Sequence, residues 1–197
     1  MALTHDDLIL DASAYAEERP ARRAEAIAYK KNRRVSVGDL ITLLFEDRET
    51  LLFQTQEMVF AEGISDHAAV QAELDTYNPL LPSSHELSAT LFIEIPDMAT
   101  LKAELPRLVG IENSVSLAVG ESVVQATGED GRSRSDYTST VHYLRFRFDD
   151  DQRDDFRDPA VPVLLNVDHE SYSESTPVAG DVRLSLIRDL ALGRAPS

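Results

Sequence analysis

The sequence predicts an α+β protein built on a ferredoxin-like β-α-β-β-α-β sheet, and three observations carry that prediction. Residues 87–95 are apolar on both faces, as an inner strand must be. Residues 141–148 set Leu144, Phe146 and Phe148 on one face against Tyr143, Arg145 and Arg147 on the other. Helical patterns opening at Asp97 and Asp150 separate the strand-like runs. The chain, 1–197, reads as a single domain in which an N-terminal helical segment, an αα-hairpin and a C-terminal helix are added to the sheet.

Residues 1–34 form a basic helical arm. Pro20 suits the first turn of a helix through Arg22, Ala24, Ile27 and Lys31, and from Arg19 to Arg34 seven basic residues face Glu25 alone. Residues 35–82 hold the αα-hairpin: one helix over 48–62, ended by Gly63, and a second over 66–77, stopped by Asn78-Pro79. Residues 40–45 fit a buried strand or a helix, because so short an apolar run has no decisive period.

The sheet spans 87–167. After the inner strand, Asp97 caps a helix through Met98, Leu101 and Leu105 that Pro106 shortens. Val115, Leu117 and Val119 alternate as a strand turned at 120–122, and 128–136 is a polar loop. The strand 141–148, an acidic helix over 150–157 and a strand over 161–167 complete the order. Thr176-Pro177 then opens the C-terminal helix, 176–192, through Val182, Leu186 and Leu190, with Gly193 as its stop.

Composition bounds the function. A chain that is 43% hydrophobic and 27% charged folds, and a net charge of −16 repels a phosphate backbone. The absence of cysteine excludes thiolate metal sites and thiol nucleophiles within the chain and fits a reducing cytoplasm. The first residues lack the basic and apolar regions of a signal peptide, and no apolar run approaches the roughly 18 residues of a membrane span. Phosphate-loop, dinucleotide-loop and serine-elbow motifs are missing. His85-Glu86 begins a zincin pattern, but Ala89 stands where the second imidazole belongs.

Two sets of candidate site residues remain. Lys30, Lys31, Arg33 and Arg34 form a basic segment for an acidic partner or an anion. Asp168 and His169 emerge at the end of the last strand, where His142, Glu94 and Glu57 are the named candidates to complete a divalent-metal site. Gln54, Gln56 and Glu57 stand within an apolar helix and demand partners there.

Several phrases together resemble one bacterial family: Arg33-Arg34-Val35 with Gly38, Gln54-x-Gln56-Glu57-Met58, Tyr77-Asn78-Pro79-Leu80-x-Pro82, and Leu87-x-Ala89-Thr90-Leu91. The family is the uncharacterised "domain of unknown function 3501", and the resemblance runs from Leu8 to Leu192. It implies a redox or peroxide-stress setting, with a rubrerythrin-like or iron–sulfur protein as partner, and supplies no catalytic residue. The leading expectation is therefore a non-enzymatic accessory protein that binds a partner through the αα-hairpin or the basic segment. A small metal-binding protein or metalloenzyme using His169 and Asp168 is the alternative, and a nucleic-acid adaptor the third reading.

Overall fold

The computed structural model describes residues 1–128 and 137–192 and divides the chain into two compact units. One combines Met1–Asn32 with Glu46–Leu81; the other combines Arg33–Phe45 with Pro82–Ser197. No helix among the described residues is long and apolar enough to cross a membrane.

The first unit is helical: α1 (Ala12–Lys31), α2 (Arg48–Ala61) and α3 (His67–Tyr77). Each starts at an aspartate whose carboxylate accepts from backbone N–H groups of the first turn, namely Asp11, Asp47 and Asp66. The first helix thus begins at Ala12 and carries Pro20 in its interior, where the sequence placed Pro20 in an opening turn. Asp11 is the stronger start signal, because its carboxylate satisfies Ser13 and Ala14 N–H. Two side-chain amides tie down the N-terminal segment. Gln56 accepts from Ile9 N–H at 2.7 Å and donates to Ile9 C=O at 3.0 Å, and Asn78 does the same for Leu3 at 2.7 and 3.0 Å.

The second unit overturns the ferredoxin-like expectation. It is an eight-stranded antiparallel sheet, nearly closed into a barrel, in the order β1-β2-β3-β6-β5-β4-β7-β8. The strands are β1 (Arg34–Val37), β2 (Ile41–Glu46), β3 (Glu86–Ile93), β4 (Val115–Val119), β5 (Ser122–Gly128), β6 (Val141–Arg147), β7 (Val163–His169) and β8 (Tyr172–Pro177). Helices α4 (Met98–Glu104), α5 (Asp150–Arg157) and α6 (Gly180–Leu192) accompany them. The ambiguous run 40–45 is strand, buried at every position of β2. Residues 122–128 form a strand of their own, so three strands, not two, separate α4 from α5. Thr176 and Pro177 end β8, opposite Leu165 and Leu164, and the C-terminal helix starts only at Gly180. Of the polar loop expected over 128–136, Gly128 ends β5, and the rest, like the stop at Gly193, lies outside the described residues.

Strands added at both ends let the sheet curl until β1 and β8 approach each other. Side chains bridge that seam: Tyr172 Oη donates to Val37 C=O at 2.5 Å, and Thr176 Oγ1 donates to Ser36 C=O at 2.8 Å. Gly38, at φ +59°, makes the β1–β2 turn, and a Cβ there would lie 2.3 Å from Tyr172 Oη. The core is the set of inner-facing side chains, including Phe45, Leu91, Leu117, Phe146 and Leu165. The apolar pattern of β3 fits its place between β2 and β6. From α6, Leu186 and Leu190 complete this core.

Candidate functional site

Large aliphatic residues are sparse along α1, where Ile27 stands among alanines, and of its side chains only Tyr15 is fully buried. What ties α1 to α2 is a polar cluster around Glu57. Arg19 donates to the Glu57 carboxylate at 2.8 and 2.9 Å, Tyr15 Oη at 2.9 Å and Arg23 at 3.2 Å. The Arg19 guanidinium also lies 5.1 Å from the centroid of Phe60, whose ring meets Tyr15 edge-on. The demand for partners that the sequence placed on Gln56 and Glu57 is met by Ile9 backbone and by this cluster.

The Arg19 hydrogen bond, assisted by Tyr15 and Arg23, holds the Glu57 carboxyl below its ordinary value. Burial, and next the bond to Glu57, pushes the Tyr15 phenol up to about 12, so it keeps its proton and remains a donor to Glu57. A carboxyl with a depressed folded-state pKa contributes stability that is complete above its unfolded value of 4.5 and is lost as pH falls through the lower folded value. Glu57→Gln is therefore expected to destabilise the helical unit at neutral pH, with the gap to wild type closing as pH falls. Unfolding followed by circular dichroism from neutral pH to about pH 3 measures this. A gap independent of pH would remove the ion cluster from the account.

Two concavities flank α1. The first, of about 300 Å³, lies between α1 and α2. Its apolar and aromatic wall includes Tyr15, Ala26, Tyr29, Leu52 and Phe53, and its polar wall Asp7, Arg22, Glu25, Lys30, Glu49 and Gln56. The second is a shallower groove of about 450 Å³ on the other flank. Its floor is Ala16, Pro20, Ala24, Ile27 and Phe60, with Arg19 and Arg23 beside it. At 100° per residue, positions 16, 20, 24 and 27 share one flank, while 15, 22, 26 and 29 share the other.

The four basic residues singled out in the sequence have different fates. The Lys30 ammonium sits 5.3 Å from the Phe53 ring centroid, and Lys31 is exposed at the end of α1. Arg33 is not a surface residue at all. Its guanidinium, 1% exposed, pairs with Asp189 at 2.5 Å and donates to Phe45 C=O and Ser185 Oγ. Arg34 pairs with Glu94, whose carboxyl is held low first by a hydrogen bond from Thr42 and then by Arg34.

Nor does the structure gather the metal candidates. The Val109 carbonyl, 3.0 Å from His169 Nε2, can only accept, so Nε2 carries the proton; Nδ1 accepts from Ser171 N–H at 3.2 Å. Both ring nitrogens are thus committed to backbone. Strand alternation puts Asp168 on the opposite, exposed face, where it accepts from Ser173. His142 is buried, with Nε2 at 2.9 Å from both Thr138 Oγ1 and Ser139 C=O, and Nδ1 at 3.8 Å from Glu112. Glu57 belongs to the helical unit and the other four candidates to the strand unit. Among the described residues, no three His, Asp or Glu side chains come together in a way that could hold a metal ion.

A two-unit protein with an eight-stranded sheet and a three-helix unit bearing two concavities is the class these observations define. The chain belongs to the family described as "Protein of unknown function (DUF3501)", whose model matches residues 2–190. It is similar to a solved structure described as a novel protein of unknown function from Burkholderia pseudomallei K96243. The two are 40% identical, with a TM-score of 0.89, over 96% of this chain and 100% of that one. No curated protein matches the chain.

Proposed function

We propose that the protein is a non-enzymatic interaction protein that docks an acidic, amphipathic helix of a partner along the groove on α1. The observation that carries this reading is Ile27, 59% exposed on a groove floor of small side chains and flanked by arginines. Ala16, Pro20 and Ala24 recur every fourth residue, so a second helix can approach closely there. Arg19 and Arg23 share the single carboxylate of Glu57, leaving one positive charge in excess beside an apolar floor, in a chain whose net charge is −16. Carboxylates on the incoming helix complement that excess, and its apolar stripe covers Ile27 and Phe60. The redox or peroxide-stress setting comes from the family resemblance alone. Neither the family description nor the Burkholderia structure speaks to it.

A fluorescent helical peptide with Leu on one face and Glu on the other provides the test, with its Lys-for-Glu counterpart as control. Ile27→Asp is expected to weaken peptide binding by about tenfold or more, the equivalent of losing one buried aliphatic side chain. Because Ile27 is exposed, the thermal midpoint should stay within about 2 °C of wild type. Equal binding of the Lys peptide, or full binding to the Ile27→Asp variant, refutes the reading. A purified rubrerythrin-like protein that binds wild type but not Ile27→Asp would place the groove in the redox setting.

A further inference from the structure

The half-open cavity on the other flank of α1, with Glu25, Tyr29 and Glu49 exposed at its mouth, has a chemistry that the docking groove does not use. Most of its donors and charges are answered from within the helical unit. Arg22 is paired with Glu18 at 2.8 Å, Asp7 with Arg48 at 2.5 Å, and Gln56 is spent on the Ile9 backbone. The hydroxyls of Tyr15 and Tyr29 donate to Glu57 and Asp47, and both side chains line the cavity. Three charges remain: the carboxylates of Glu25 on α1 and Glu49 on α2, neither in an ion pair among the described residues, and the ammonium of Lys30. The cavity thus combines aromatic side chains with an excess of one negative charge. The position of Lys30 shows what this wall prefers, since its ammonium already rests over the Phe53 ring.

The geometry points to a binding site for a small organic amine, taken up as its ammonium ion. The ammonium is held between Glu25 and Glu49, and the apolar body lies against Phe53, Leu52 and the Tyr29 ring. A volume of about 300 Å³ admits a short aliphatic chain of this kind. Lys30 competes with the ligand for the same wall, and its charge opposes the incoming cation. An opposite role follows for Lys30 and for the two carboxylates, which a purely structural function of these side chains would not produce.

The test is an NMR titration of the full chain with n-butylammonium chloride, using n-butanol, sodium butyrate and ammonium chloride as matched controls. Butylammonium is expected to shift resonances of Tyr15, Glu25, Tyr29, Glu49 and Phe53 saturably, while the alcohol and the carboxylate do not. Glu25→Gln with Glu49→Gln should weaken binding by about tenfold or more, the worth of a charge-assisted contact. Lys30→Met should tighten it severalfold. This second variant stands on its own if the double one fails to fold. Saturable binding of butyrate in preference to the amine would assign the cavity to Lys30 and overturn the proposal. So would an amine response no larger than that of ammonium chloride, or weaker amine binding in Lys30→Met. None of these outcomes depends on whether the groove on the other flank docks a peptide.

Discussion

Replacing Arg33 by methionine is expected to destabilise the strand unit by about 3–5 kcal/mol, the cost of stranding a buried charge. Arg33 and Asp189 are 1% and 7% exposed at the side chain, and the guanidinium also satisfies Phe45 C=O at 2.8 Å and Ser185 Oγ at 3.0 Å. Methionine fills much of the volume and donates nothing, so the Asp189 carboxylate and the Phe45 carbonyl lose the Arg33 donor together. For a chain of this size the thermal midpoint should fall by about 10 °C. The pair itself need not be stabilising relative to apolar residues, because both charges were desolvated to form it. Arg33→Met with Asp189→Leu should therefore recover most of the loss. Urea unfolding followed by near-ultraviolet circular dichroism gives both values. A single variant within 1 kcal/mol of wild type would show that Asp189 finds another donor or reaches water.

The second large effect is expected at Arg183. The last carbonyls of α5 have no partner within that helix, and Arg183 on α6 supplies one. Its guanidinium donates to Phe156 C=O at 2.9 and 3.0 Å, to Asp158 C=O at 2.8 Å and to Val161 C=O at 2.7 Å, and stacks 5.5 Å from the Phe156 ring centroid. Burial lowers its pKa, and a guanidinium is the side-chain cation that proteins keep protonated. Arg183→Met removes the donor from the buried Phe156 carbonyl and from the part-buried carbonyls of Asp158 and Val161, and should cost about 3 kcal/mol. Arg183→Lys should recover only part of this, because an ammonium cannot span that fan of acceptors. Hydrogen exchange of the α5 amides reads the effect locally. Unchanged α5 protection in Arg183→Met would show that the cap carries no stability.

Much of the local structure was legible in the sequence. The alternation at 141–148 reappears as β6 with His142, Leu144 and Phe146 buried. The Asp149 cap opens α5, and helix-breaking Pro106 follows the end of α4 at Glu104. These features depend on hydrogen bonds and side-chain periods within a few residues of one another, so composition and spacing record them. The helical spacing over 48–62 and 66–77 likewise appears as α2 and α3. The candidate cavity was less legible: Lys30 and Gln56 stood out as charge and as an amide in an apolar run, while Glu25, Glu49 and Phe53 look like ordinary helix residues until α1 is laid on α2. Arg33 misled for a related reason. A basic run reads as exposed because burying a guanidinium is costly, and its compensating carboxylate, Asp189, lies 156 positions away.

By itself, then, the sequence determined the inner strand at β3, the alternating strands β4 and β6, and the helices α2, α3, α4 and α5, while the starts of α1 and α6 and the strands β1, β5 and β8 escaped it. The tertiary structure alone decided that eight strands pair into one nearly closed sheet rather than four into a ferredoxin-like one, and that Asp168 and His169 part to opposite faces with separate partners. Alternation with period two is the same in an open sheet and in a barrel. Strand order and closure are set by pairings between residues far apart in the chain, such as Thr176 with Ser36, and by the inner volume those pairings leave for side chains to fill.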